Sequence, residues 1–164
     1  MRISDRVGEN LNKMKKVKVY LGCALTKAPK SYKMQVARFK RELQKISWIQ
    51  VLEFVGSLTE DPDPARTPLH VYTNDIHDCV GVAEAIIGET SRPSTGLGWE
   101  LATAVEKHKI RTFMCAKEGP DVSFLPRGSV LHDANACATF HWYKKSMLEL
   151  LPYFLQELKK LHEE

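Results

Sequence analysis

Apolar positions along the chain fall into two alternating kinds of segment. Val17 to Leu25 is an apolar run of strand length that opens after a pair of lysines, whereas Val36, Phe39, Leu43 and Ile46 recur at helical spacing between Tyr32 and Ile46. Ile49 to Val55, rich in β-branched and aromatic residues, predicts a second strand. It runs into Asp61-Pro-Asp-Pro-Ala-Arg-Thr-Pro68, whose prolines predict a loop. Thr73 and Asn74 are placed to cap a short helix from Asp75 to about Ala83, and Glu84 to Gly88 predicts a third strand around Ile86 and Ile87. Glu89 to Gly98 is a Gly/Ser/Pro turn feeding a helix with apolar Leu97, Leu101, Ala104 and Val105. A fourth strand is expected at Ile110 to Ala116, irregular chain over 118–135, and a fifth strand at Ala138 to Tyr143. Ser146 to Glu164 carries Met147, Leu150, Phe154, Leu158 and Leu161 on one helical face, with a kink or break near Leu151 because Pro152 lies inside the pattern.

Strands alternating with helices imply a parallel sheet covered on both faces by right-handed crossovers. The expected fold is an α/β, Rossmann-like (flavodoxin-like), doubly wound five-stranded parallel sheet. Residues 1–15 read as a flexible N-terminal segment and 16–164 as a single catalytic domain. Ligands of such sheets sit outside the carboxyl ends of the strands, so the loops after the first four strands are the places to look.

Composition narrows the picture. The chain has 164 residues, 43% apolar and 27% charged, which suits one globular domain. Its 24 basic and 20 acidic side chains leave a formal charge of +4, too small to argue for polymeric nucleic acid. No apolar run reaches the roughly 18 residues of a membrane span, and the polar stretch from Met1 to Lys16 lacks the apolar centre of a signal peptide, so no membrane partner and a cytoplasmic location are expected. Cys23, Cys79, Cys115 and Cys137 are scattered, which fits neither a zinc site nor a disulfide framework.

The segment richest in chemistry is Arg92-Pro-Ser-Thr-Gly-Leu-Gly-Trp-Glu100. Ser94 and Thr95 offer hydroxyls, Gly96 and Gly98 let a ligand approach the backbone, and a helix N-terminus favours an anion. Glu100 is expected in the first turn, where a carboxylate would otherwise only complement the helix dipole. The segment is no dinucleotide fingerprint, since the third glycine is missing and the loop follows the third strand rather than the first.

Tyr20, Asp75 and Pro93-Ser-Thr-Gly-Leu-Gly-Trp-Glu100 together resemble the nucleoside 2-deoxyribosyltransferase family, most of all its 2′-deoxynucleoside 5′-monophosphate N-glycosidase branch. The resemblance spans about residues 17 to 143 and is carried by the octapeptide. It implies that Glu100 is the nucleophile at the anomeric carbon, that Asp75 handles the leaving base, and that Tyr20 positions Glu100. It also implies that Ser94, Gly96 and Ser123 from a neighbouring subunit hold the 5′-phosphate in a homodimer or higher homo-oligomer. Gly22, Gly98 and Glu89 join the expected substrate contacts, Glu89 with the alternative of bonding loop amides. No metal or cofactor is required. The sequence departs from that branch in two places. Gly22-Cys-Ala-Leu-Thr-Lys27 lacks the arginine of the family's first loop, leaving Lys27 to supply charge, and the spacing from Asp75 to Glu84 is one residue longer, making Asp78 a rival for the second carboxylate.

The expected activity is hydrolysis of the N-glycosidic bond of 2′-deoxynucleoside 5′-monophosphates. Base exchange between unphosphorylated deoxynucleosides and nucleotide binding without turnover are the alternatives.

Overall fold

The structure is a computed structural model that describes residues 15–52, 67–119 and 121–164. Most of the loop expected at Asp61 to Pro68, the end of the second strand and the N-terminal segment lie outside the described residues.

Five parallel strands form one sheet: β1 (Val17–Cys23), β2 (Ile49–Leu52), β3 (Ala85–Glu89), β4 (Arg111–Lys117) and β5 (Ala138–Tyr143), in the order β2-β1-β3-β4-β5. The winding reverses between β1 and β3, so the fold is Rossmann-like and doubly wound, with its topological switch point at the carboxyl ends of those two strands. All five residues of β3 are buried, which is why the central strands read as continuous apolar runs rather than alternating ones.

Helices α1 (Lys30–Gln44) and α5 (Leu151–Glu163) cover one face. There Val19, Leu21, Ile87 and Phe113 meet Val36, Phe39, Leu43, Phe154 and Leu158. Phe154 packs its ring against Phe39 and Phe113, with centroids 6.0 and 5.5 Å apart. The opposite face is covered by α2 (Pro68–Tyr72), with the helical turns that continue it to Val82, and by α3 (Thr95–Ala102), continued by a wide turn over Thr103–His108. Tyr20, Ile86 and Met114 face Cys79, Val80, Leu97, Leu101 and Ala104 on this side.

Three expectations are corrected, and one is met at the C-terminus. Helix α2 starts before Asp75, at Pro68: Thr67 accepts a hydrogen bond from the His70 amide and Pro68 fits a first helical turn, so Thr73 and Asn74 lie inside the helical segment rather than capping it. Glu89 belongs to β3 rather than to the following turn. The stretch 118–135 contains a short helix, α4 (Phe124–Ser129), begun by Ser123. At the C-terminus the break expected near Leu151 is present: the Ser146–Glu149 capping box opens a tight turn over Met147–Leu150, and α5 starts at Leu151 with Pro152 in the first turn, where a missing amide costs no hydrogen bond. Among the described residues no helix is long and apolar enough to cross a membrane.

Candidate active site

The carboxyl edge of β1 and β3 is floored by two glycines. Gly22 and Gly88 are paired in register on adjacent strands, both under α3. A β-carbon on Gly88 would lie 2.7 Å from Leu101 Cδ2, and one on Gly22 would lie 2.8 Å from Leu97 Cδ1 and 3.0 Å from Glu100 Oε2. Only bare backbone lets α3 sit this close to the sheet. Gly88 was not among the residues singled out from sequence, although a glycine within an apolar strand is the usual sign of a close approach.

Ser94 caps α3: its hydroxyl accepts a hydrogen bond from the Leu97 amide at 3.2 Å. The helix therefore begins at Thr95. Gly96 and Gly98 lie within it rather than in a preceding loop, and Glu100 falls in the second turn, not the first. That extra turn carries the carboxylate over the glycine floor to Tyr20, whose hydroxyl hydrogen-bonds to it. A β-carbon on Gly96 would stand 4.0 Å from Glu100 Oε1, so Gly96 lies beside the carboxylate.

Asp75 is brought in from the other helical segment on this face. It lies on a π-helical turn, Thr73–Cys79, in which the Val80 amide reaches back to the Asp75 carbonyl. A π turn accommodates one residue more than an α turn. The Asp75 charge acts on both Tyr20 and Glu100, and Asn74 Nδ2 donates to Asp75 Oδ1 at 3.0 Å. Asp78, the rival, is exposed.

Burial and the neighbouring Asp75 charge push the Glu100 carboxyl up to about 7, while the Tyr20 hydrogen bond opposes that rise. Tyr20 is driven well above the ordinary range of a phenol, first by burial and then by the two carboxylates, so it serves as a hydrogen-bond donor and not as a proton source. Two interacting carboxyls, one of them made a weaker acid by its surroundings, are the usual starting point for an acid and a nucleophile in one pocket.

A second carboxylate cluster lies beside this one. Glu89 is fully buried and accepts hydrogen bonds from the Tyr32 hydroxyl, the Ser91 hydroxyl, the Ser91 amide at 3.2 Å and the Tyr143 hydroxyl at 3.0 Å. Ser91 Oγ in turn accepts from the Lys117 amide at 2.7 Å. Glu89 thus bonds protein groups from α1, β5 and the β3–α3 loop, a loop amide among them. Cys23, between the two carboxylates, is pushed up to about 12 by burial and by Glu89 and Glu100, which makes it an inert thiol.

The remaining expected residues are spread around the rim. Lys27 is exposed at a left-handed φ of 55°, and its carbonyl accepts from Arg92 Nη2 at 3.3 Å. Ser123 lies on the β4–β5 connection, exposed, and caps α4 through the Leu125 amide at 3.4 Å. Trp99, beside Glu100 in sequence, points outward with 63% of its surface exposed. Among the described residues no three histidine, cysteine or acidic side chains are grouped as a metal site would need. Compared with models of known protein families and with curated proteins, the chain matches none.

Proposed function

We propose that the chain hydrolyses the N-glycosidic bond of 2′-deoxynucleoside 5′-monophosphates, releasing free base and 2-deoxyribose 5-phosphate. The observation that carries this reading is the contact set of Glu100: a half-buried carboxylate over a glycine floor, bonded to Tyr20 and facing Asp75, at the switch point of the sheet. The likeness of Pro93 to Glu100 to the monophosphate glycosidase motif supplies the substrate class.

In this mechanism the carboxyl pair carries one proton, which passes from Glu100, whose burial favours the protonated form, to Asp75 before the attack. A Glu100 oxygen forms an ester bond to C1′ of deoxyribose while the C1′–N bond breaks, its electron pair going to the base nitrogen, which takes the proton from Asp75. Water then attacks C1′ and the ester bond breaks, returning the electron pair to Glu100; the water proton passes to Asp75. Both carboxyls end as they began, as retaining glycosidic cleavage requires. Tyr20 holds Glu100 and steadies its charge when the ester departs. At the start of α3, Ser94 and the first-turn amides of Thr95 and Gly96 favour the 5′-phosphate.

The enzyme acts in this reading as a homodimer in the cytoplasm. Support for the first comes from α4, which Ser123 caps and which exposes Phe124, Leu125 and, just beyond, Leu131, each about 80% open to solvent. Support for the second comes from the four cysteines, all free thiols.

The test is to supply each deoxynucleotide and follow free base by chromatography. Base release that disappears in Glu100→Ala supports the assignment, and a wild-type rate in that variant overturns it. If an added acceptor base yields a new nucleoside without free sugar, the chain is a transferase. If nucleotides raise the melting temperature while no base appears, it binds without turnover.

A further inference from the structure

The crevice between the β1–α1 and β3–α3 loops is crossed by Arg92. Its Nη2 donates to the Lys27 carbonyl, and its guanidinium carbon stands 5.9 Å from the centroid of the Tyr32 ring. Tyr32 is itself immobilised, because its hydroxyl is bonded to the buried Glu89. The guanidinium is therefore held from one side by a backbone carbonyl and from another by an aromatic face that attracts cations. Arg92 lies two residues before Ser94 in the loop that leads into α3, and the far bank of the crevice is the loop that follows Gly22, the residue against Glu100. A guanidinium has five N–H donors in a fixed fork that matches a phosphate. Lys27, the cation expected there, contributes its carbonyl to holding Arg92.

We infer that Arg92 reads the 5′-phosphate of the substrate and sets the preference for phosphorylated over free deoxynucleosides. The inference rests on the glycosidase reading and extends it to a residue outside the motif's serine and glycines. Tyr32 and Glu89 act beneath it as positioning residues: they touch no reacting atom but fix where the fork points.

The experiment compares kcat/KM for a 2′-deoxynucleoside 5′-monophosphate with kcat/KM for the corresponding free deoxynucleoside. Arg92→Gln is expected to lower that ratio roughly 10- to 100-fold, the scale of a lost charge-assisted contact. Arg92→Lys, which keeps the charge without the fork, is expected to recover part of it. Inorganic phosphate should compete with the nucleotide in the wild type and compete less well in Arg92→Gln. An unchanged ratio in Arg92→Gln overturns the inference and leaves the glycosidase reading standing. Phosphate that fails to compete in the wild type overturns it without recourse to a variant. A wild-type protein that releases base from neither substrate overturns the reading and the inference together.

Discussion

Gly22 and Glu100 occupy adjoining space with no room between them for a methyl group: a β-carbon on Gly22 would stand 3.0 Å from Glu100 Oε2. The side chain with the chemistry is thus pressed onto a strand whose own residue at that point has none. This contact joins the packing of α3 to the state of the carboxylate, since the same β-carbon would strike Leu97 at 2.8 Å.

Gly22→Ala should therefore damage stability and activity together. Overpacking of this kind costs about 1–3 kcal/mol, and a displaced nucleophile loses roughly 10- to 100-fold in rate. Urea unfolding and base release measured on the same preparation check both. Full activity in a well-folded Gly22→Ala would show that Glu100 does not depend on the floor.

Glu100→Gln should abolish turnover and stabilise the fold at alkaline pH. The carboxyl is raised to about 7 by burial and by Asp75, so between an ordinary glutamate's value and 7 the unfolded chain has released a proton that the folded chain retains. Wild-type stability therefore falls as pH rises through that window and levels off above it, while the amide removes the dependence. At pH 8 the variant should melt higher, by roughly 2–4 °C for each kcal/mol relieved. Near pH 4 the two proteins should differ little. Melting curves across the range decide it.

Tyr20→Phe removes the donor that opposes the rise in Glu100. The acid limb of the pH–rate profile, which reports ionisation of Glu100 in the free enzyme, should move upward by about one pH unit, since a hydrogen bond to a charged group is worth about 1.5–3 kcal/mol. Activity at pH 6 falls most and is partly regained at pH 8. A profile that drops uniformly without shifting would assign Tyr20 to packing alone.

Glu89→Ala leaves the hydroxyls of Tyr32, Tyr143 and Ser91 without their acceptor in a buried place. Unmade buried hydrogen bonds cost about 1–3 kcal/mol each before relaxation, so a loss of about 3 kcal/mol or more is expected in urea unfolding. Glu89→Gln retains an acceptor oxygen and should lose less.

The strands were legible in the chain because each is a short apolar run bounded by polar or turn residues, and in a parallel sheet buried on both faces the run itself is the signal. The start of α2 was hidden because Pro68 closes a proline-rich stretch and reads as its last member, although with Thr67 it makes a helix start. Helix α4 has Pro126 inside it and no buried residue, so no apolar period announces it. At the site, Tyr20, Asp75 and Glu100 carry recognisable side chains, and the structure brings them together. What escaped the sequence is whatever depends on partners distant in the chain. Gly88 matters through Leu101, Glu89 through Tyr32 and Tyr143, which are 57 and 54 residues away, and Arg92 through a carbonyl 65 residues earlier.

The paired glycines under α3 have one more effect. Because their surface is main chain, the sheet side of the gap has no side chain that can rotate to take up slack, so the seating of α3 is nearly all or none. A seated helix shields Glu100 and keeps its acidity weak; a helix lifted by a fraction of an ångström would admit water and restore ordinary acidity. The proton affinity of one carboxyl thus serves as a gauge of whether the last helix of this face has docked. A titration of Glu100 followed during refolding would report the completion of the fold and the arrival of the site as a single event.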